Sequence, residues 1–228
     1  MPNLRNLFAA ICLVPLALSA AAEGRITVVG QGSVQTVPDM ATISLGVTTE
    51  AKTAADALAA NTEATASVLD RVAAAGVEPR DVQTSGLSLS PNWAQNNSDG
   101  TSTIVGFIAS NQVTVRIRDL QGLGSILDDV VRNGANTFNG LVFGLQNPDP
   151  VMDEARNKAV ADALRKAELY AEAAGVMLGA IAELSESGGG TPEPMFRRES
   201  AMLDAAVPVA EGEVSITATV TVVFEIAE

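Results

Sequence analysis

Histidine is absent from this chain of 228 residues, and its one cysteine is Cys12. Cys12 lies in a stretch with Arg5 near the start, an apolar core from Leu7 to Leu18, and the small run Ser19-Ala20-Ala21-Ala22. That order reads as a secretory signal over 1–22, removed after Ala22. The apolar core is only about 12 residues long, short of the roughly 20 needed to span a bilayer. The remainder of the chain, 23–228, contains neither thiol nor imidazole. Disulfides, cysteine nucleophiles, histidine bases and the commonest zinc ligands are thereby excluded from it.

Positive charge is scarce too. Lys and Arg number 14 against 27 Asp and Glu, giving a net charge of −13 that becomes −14 once Arg5 is lost; the lysines are Lys52, Lys158 and Lys166 alone. Such a surface repels phosphate backbones and anionic lipid heads, so it argues against nucleic acid and membrane surfaces as partners. No stretch after the leader is long and apolar enough to cross a membrane, so no membrane span is expected after processing. The mature length suffices to bury roughly 70% of the unfolded surface without cross-links.

What the chain does have is clear periodicity. Val214, Ile216, Ala218, Val220, Val222, Phe224 and Ile226 alternate with mostly polar residues, predicting a long half-buried strand. Shorter alternations predict strands at 25–35, around Ile43 to Val47, at 81–92, at 104–118, at 137–146 and near 179–185. Helices are predicted over 52–75, from the cap Asp119 to Gly134, and from Asp149 as N-cap with Pro150 behind it to Gly175. On the first helix, Ala55, Leu58, Ala59, Thr62, Ala66, Leu69, Val72 and Ala73 recur at helical spacing. The third carries Ala155, Ala159, Ala163, Ala167, Ala171 and Ala174, a smooth face suited to close packing on a sheet.

In order, 40–146 reads βαββαβ, followed by a long helix and two strands. This predicts an α+β fold, a two-layer α/β arrangement with mainly antiparallel sheets and helices on one face. Its sub-lobes would be 40–146 and 23–39 with 147–228. Two segments interrupt the pattern: 91–103 reads as the polar tip of a hairpin, and 186–212 is long for a structureless loop. Trp93 in the first is either a lid on the sheet or a contact for a partner. In the second, Met195, Phe196, Arg197 and Arg198 with Met202 and Leu203 have the composition of an adaptable interface, or of a loop folded back on its own sheet.

Catalytic motifs are wanting. Gly30-Gln31-Gly32 opens like a dinucleotide fingerprint, but Gln35 holds the third glycine position and a strand comes next where a helix is needed. The glycines read instead as easing a strand bulge. The adjacent pairs Asp128-Asp129 and Asp153-Glu154 point about 100° apart on a helix, and Glu168 with Glu172 reads as a solvated face. Neither a glycosidase-like dyad nor an oxygen-ligand metal site is indicated. No catalytic residue, metal or cofactor is expected.

Several strings occur together in order: Ile26-Thr27-Val28-Val29-Gly30-Gln31-Gly32, Pro38-Asp39-Met40-Ala41, Gly106-Phe107-Ile108-Ala109-Ser110-Asn111-Gln112-Val113, Arg118-Asp119-Leu120, Gly134-Ala135-Asn136, Glu154-Ala155-Arg156, Ala173-Ala174-Gly175 and the closing strand. With them the chain resembles the bacterial SIMPL-domain family, a former domain of unknown function with YggE-like members and members of the 26-kDa periplasmic immunogenic type. The resemblance covers nearly all of 23–228. It implies a periplasmic, non-enzymatic protein linked to oxidative or envelope stress, assembling as a homo-oligomer and open to an envelope protein partner. The alternative from the residues alone is a small-ligand-binding protein or a carboxylate-dependent hydrolase. Asp39, Asn111, Asp119 and Arg156 are expected as turn, cap and ion-pair residues.

N-terminal sequencing of the exported protein should begin at Glu23. A chain that retains residues 1–22 in the inner membrane would contradict the reading of the leader.

Overall fold

Helix α3 (Asp149–Ala174) lies on strands β1 (Arg25–Thr36) and β8 (Glu213–Ala227) with its alanine face inward: Ala155, Ala159, Ala163, Ala167 and Ala171 are buried. A computed structural model describes residues 24–95, 101–187, 193–195 and 209–227. The expected leader and Phe196, Arg197, Arg198, Met202 and Leu203 fall outside the described residues. A methyl group built on Gly30 would fall on the carbonyl oxygen of Ala159, and one on Gly32 on that of Ala155. The two glycines therefore let the helix backbone settle directly on the strand. The bulge expected of them is absent, because β1 pairs with β8 without a register shift from Arg25 to Thr36. Ala174 is exposed, beyond the contact.

The remaining elements are β2 (Met40–Ala51), α1 (Ala54–Ala74), β3 (Val82–Gln95), β4 (Ser102–Ile117), α2 (Leu123–Arg132), β5 (Thr137–Gly144), β6 (Met177–Glu186) and β7 (Glu193–Met195). All the strands pair antiparallel in two sheets, ordered β1-β8-β6 with β7 also on β8, and β3-β4-β2-β5. The class is α+β. Between β1 and α3 the chain leaves the first sheet, builds the whole second one, and returns.

The second sheet turns Ala41, Ile43, Leu45 and Val47 of β2, with Val113, Val115 and Ile117 of β4, toward the helices. Leu123, Ile126, Leu127 and Val130 of α2 close this core, while Val131 is exposed. The face expected of α1 is wrong. Its buried residues are Ala57, Asn61, Thr65, Val68 and Val72, so Ala55, Ala59, Thr62 and Ala66 face water. Asn61 can be buried because its amide donates to Val47 O at 2.8 Å and Ala109 O at 3.0 Å. Local starts also differ slightly: Thr53 caps α1, Asp119 caps a 3-10 turn ahead of α2, and Asp149 is the first residue of α3 with Pro148 as its cap.

The two segments that join the sheets are tied to each other. Asp39 Oδ1 accepts from the Gln146 N–H at 2.7 Å, the Gln146 side chain donates to Asp39 O at 2.9 Å, and the Asp39 N–H donates to Gly144 O at 3.1 Å. Arg118 then donates to the Gln146 side-chain oxygen at 3.1 Å.

Gly30→Ala should destabilise the protein by about 1–3 kcal/mol through overpacking, read as a lower urea midpoint. Gly86→Ala, whose nearest neighbours are ordinary contacts at 3.6 and 3.7 Å, should change it by about 0.5 kcal/mol or less. Equal effects at both positions would contradict the close helix approach.

Candidate functional site

The β3–β4 hairpin outruns its support. Strand β2 ends at Ala51, opposite Phe107, so Asn92–Gln95 and Ser102–Gly106 form a two-stranded ribbon past the sheet. Strands predicted at 81–92 and 104–118 extend to Gln95 and back to Ser102, which places Trp93 on a strand and paired with Ile104. Trp93 is 56% exposed, Ile104 49% and the adjoining Val105 55%. A register shift between Asn92 and Trp93 marks a bulge there. Nearer the sheet, Leu87 and Leu89 pair with Asn111 and Ala109, so they share the α1 side; they are nonetheless 64% and 43% exposed. From Val82 to Val115 the only charged residue is Asp99. The result is a neutral, hydroxyl-rich ribbon carrying large apolar groups on a strongly acidic protein.

A second feature is a cleft of about 460 Å³ between the end of α1, the end of β4 and the start of α2. One wall is Asp81, buried in a 3-10 turn before β3, with Arg118 forked on it: Nε to Oδ2 at 2.7 Å and Nη2 to Oδ1 at 2.8 Å. These hydrogen bonds from Arg118 hold the Asp81 carboxyl below its ordinary range, against the opposing effect of burial. Both oxygens of Asp81 are thus engaged by Arg118. Glu78, Asp119 and Asp129 line the rest with Arg116. Among the described residues, no group of three or more Asp, Glu, His or Cys could hold a metal ion.

The acidic pairs seen in the sequence are dispersed on helix surfaces. Asp153 meets Arg156 at 2.9 Å, Glu154 meets Lys158 at 2.9 Å, and Glu168 and Glu172 are exposed. Asp119 caps its turn by accepting from Gln121 N–H, and Arg156 bridges Asp153 and Glu186, as expected. Asn111 differs: its Oδ1 is buried without a hydrogen-bond partner among the described residues. Met195 ends the short strand β7, opposite Glu213. Sequence reading found Trp93 but missed Leu87, Leu89, Ile104 and Val105; the signal for them was the scarcity of charge from 82 to 115, where Asp99 stands alone. The Asp81–Arg118 pair left no sequence signal, since 37 positions separate two ordinary surface residue types.

Two antiparallel sheets, one backed by α3 and the other, inserted between β1 and α3, backed by α1 and α2, define the class. The chain belongs to the SIMPL family, described as a protein of unknown function (DUF541), whose model matches residues 26–224. Among curated relatives, it is 43% identical over 211 residues to the 26 kDa periplasmic immunogenic protein of Brucella melitensis, covering 89% of this chain and 84% of that one. It is 28% identical over 201 residues to the uncharacterized protein YggE of Escherichia coli K12, covering 86% and 81%.

Because the Asp81 pKa is lowered on folding, its ionised pair adds stability above the ordinary aspartate value of 3.8. That stability is lost as pH falls through the lowered value. Asp81→Asn should therefore lower the urea midpoint clearly at pH 7 and progressively less as pH falls below 3.8. A loss that does not shrink at all on acidification would show that the charge of Asp81 does not matter to the fold.

Proposed function

We propose that the chain is a non-enzymatic interaction and assembly protein of the periplasm, acting as a homo-oligomer. The exposed, uncharged ribbon carrying Trp93, Ile104 and Val105 is the observation that supports this reading most. Large apolar groups on a two-stranded ribbon stay exposed at a cost in free energy unless a partner covers them, and tryptophan is a frequent interface anchor. The periplasmic name of the Brucella relative and the leader-like first 22 residues support the compartment. The resemblance supplies the setting, a response to oxidative or envelope stress, in which an envelope protein is a further partner. The working unit is 23–228, with 40–146 and 23–39 with 147–228 as its sub-lobes. Met195, Phe196, Arg197, Arg198, Met202 and Leu203 are further candidate contacts.

A second reading, a small-ligand-binding protein or a carboxylate-dependent hydrolase, draws on the cleft beside Asp81. It is the weaker, because the buried carboxylate there is already neutralised by Arg118.

Light scattering of the processed protein over a range of concentrations tests the first reading. A defined oligomer is expected, and replacing Trp93 and Ile104 together by serine should lower its mass without changing the circular dichroism. A wild-type monomer at all concentrations, or an oligomer whose mass is unchanged in the double variant, would contradict the role given to the ribbon.

A further inference from the structure

Each sheet of this protein ends in two strand edges whose backbone groups are able to pair with another strand. The β1 edge is guarded from α3. Asp162 accepts from the Gln31 N–H at 3.0 Å, Lys166 donates to Val29 O at 2.8 Å, and the two side chains pair with each other at 2.7 Å. A strand added there would have to break this clamp. The β6 edge is irregular, with two register shifts against β8, and carries Glu183 and Glu186. On the far side of the second sheet, β5 has eight residues, broken by a bulge opposite Ser44 and Leu45 and by Gly140 at φ +146°. Past its start, the Asn136 side chain occupies the β2 edge, accepting from Thr48 N–H and donating to Thr48 O.

The β3 edge lacks such a guard. It contains no charged residue, and no side chain of the described residues is hydrogen-bonded across it. Its irregularities, the bulge at Ser85 and the proline Pro91, bracket an unbroken run from Gly86 to Ser90. Five residues is an ordinary strand length. On that run, Leu87 and Leu89 sit exposed on the α1 side of the sheet.

We propose that a second copy of this chain adds to the β3 edge by antiparallel pairing of Gly86–Ser90 with itself, joining two four-stranded sheets into one of eight strands. The occupant is a second copy because of charge. Copies of a protein whose net charge of −13 becomes −14 without Arg5 repel wherever acidic surfaces meet, and this is the longest edge from which charge is absent. The same patch meets itself across a two-fold axis, as in isologous dimers. With the axis at Ser88, Leu87 of one copy lies opposite Leu89 of the other on the same face, and each covers the other's exposed side chain. The lack of inward charge, which normally prevents edge pairing, is then a feature of the interface.

This proposal rests on the assembly reading and adds to the ribbon a second surface, the β3 edge, that serves it. A full-length processed protein with Ser88→Cys tests it, since the mature chain has no other cysteine. Directly opposed residues of an antiparallel pair stand close enough for a disulfide. Mild oxidation should give mostly covalent dimer for Ser88→Cys and little for Thr27→Cys on the guarded β1 strand. Replacing Leu87 and Leu89 together by lysine should lower the assembled mass of the cysteine-free protein with circular dichroism unchanged. If the wild type is oligomeric but Ser88→Cys cross-links no better than Thr27→Cys, the β3 pairing is overturned while assembly by another surface stands. A monomeric wild type overturns both.

Discussion

The tie between Asp39 and Gln146 is the constraint on which the arrangement of the two sheets depends. The chain passes from the first sheet to the second through residues 37–39 and returns through 145–148, and at this crossing each segment supplies hydrogen bonds to the other. Gln146 is held in turn by Arg118, and Arg118 by the buried carboxylate of Asp81. A continuous polar chain thus runs from the crossing into the edge of the second core. Its one buried member, Asp81, is costly to leave unpaired, while the crossing itself is tied at the surface by the three hydrogen bonds between the 37–39 and 144–146 segments.

Once the crossing is fixed, each sheet solves its own packing problem with helices on one face. The first does so with almost no side-chain bulk: alanines on α3 meet glycines on β1, and the helix backbone approaches the strand closely. The second uses branched and long aliphatic residues from β2, β4 and α2, with Asn61 and Thr65 of α1 admitted because their polar atoms find partners inside. The opposite sheet faces are mostly serine, threonine and glutamine, with Val29 and Val142 exposed among them. Packing leaves apolar side chains exposed on β5 and β6, among them Phe138, Val142, Ile181 and Leu184, and on the distal β3–β4 hairpin, which carries them past the end of β2.

The strands, the α+β class and the alanine face of α3 were legible because they rest on local periodicity and on caps such as Gly175, which sits at φ +70°. The buried face of α1 was not. In an alanine- and threonine-rich helix the apolar stripe is faint, and the side chain that decides its orientation, Asn61, is polar; only the two carbonyls it reaches across the sheet reveal why it points inward. The roles of Gly30 and Gly32 were misread for a related reason, since a glycine that admits a helix and one that admits a bulge look alike in sequence. For the candidate surface, Trp93 was visible as an odd residue in polar company. Leu87 and Leu89 read as ordinary strand alternation, and nothing local shows that they stay exposed.

An uncharged strand edge on an acidic protein is, on this account, the place where copies meet. Amide hydrogen exchange of the assembled wild-type protein measures this at the backbone itself. The edge-facing amides of Gly86–Ser90 should exchange slowly, at rates close to those of paired β4 amides. Rapid exchange across that run in an assembled protein, as for an edge open to water, would contradict the account.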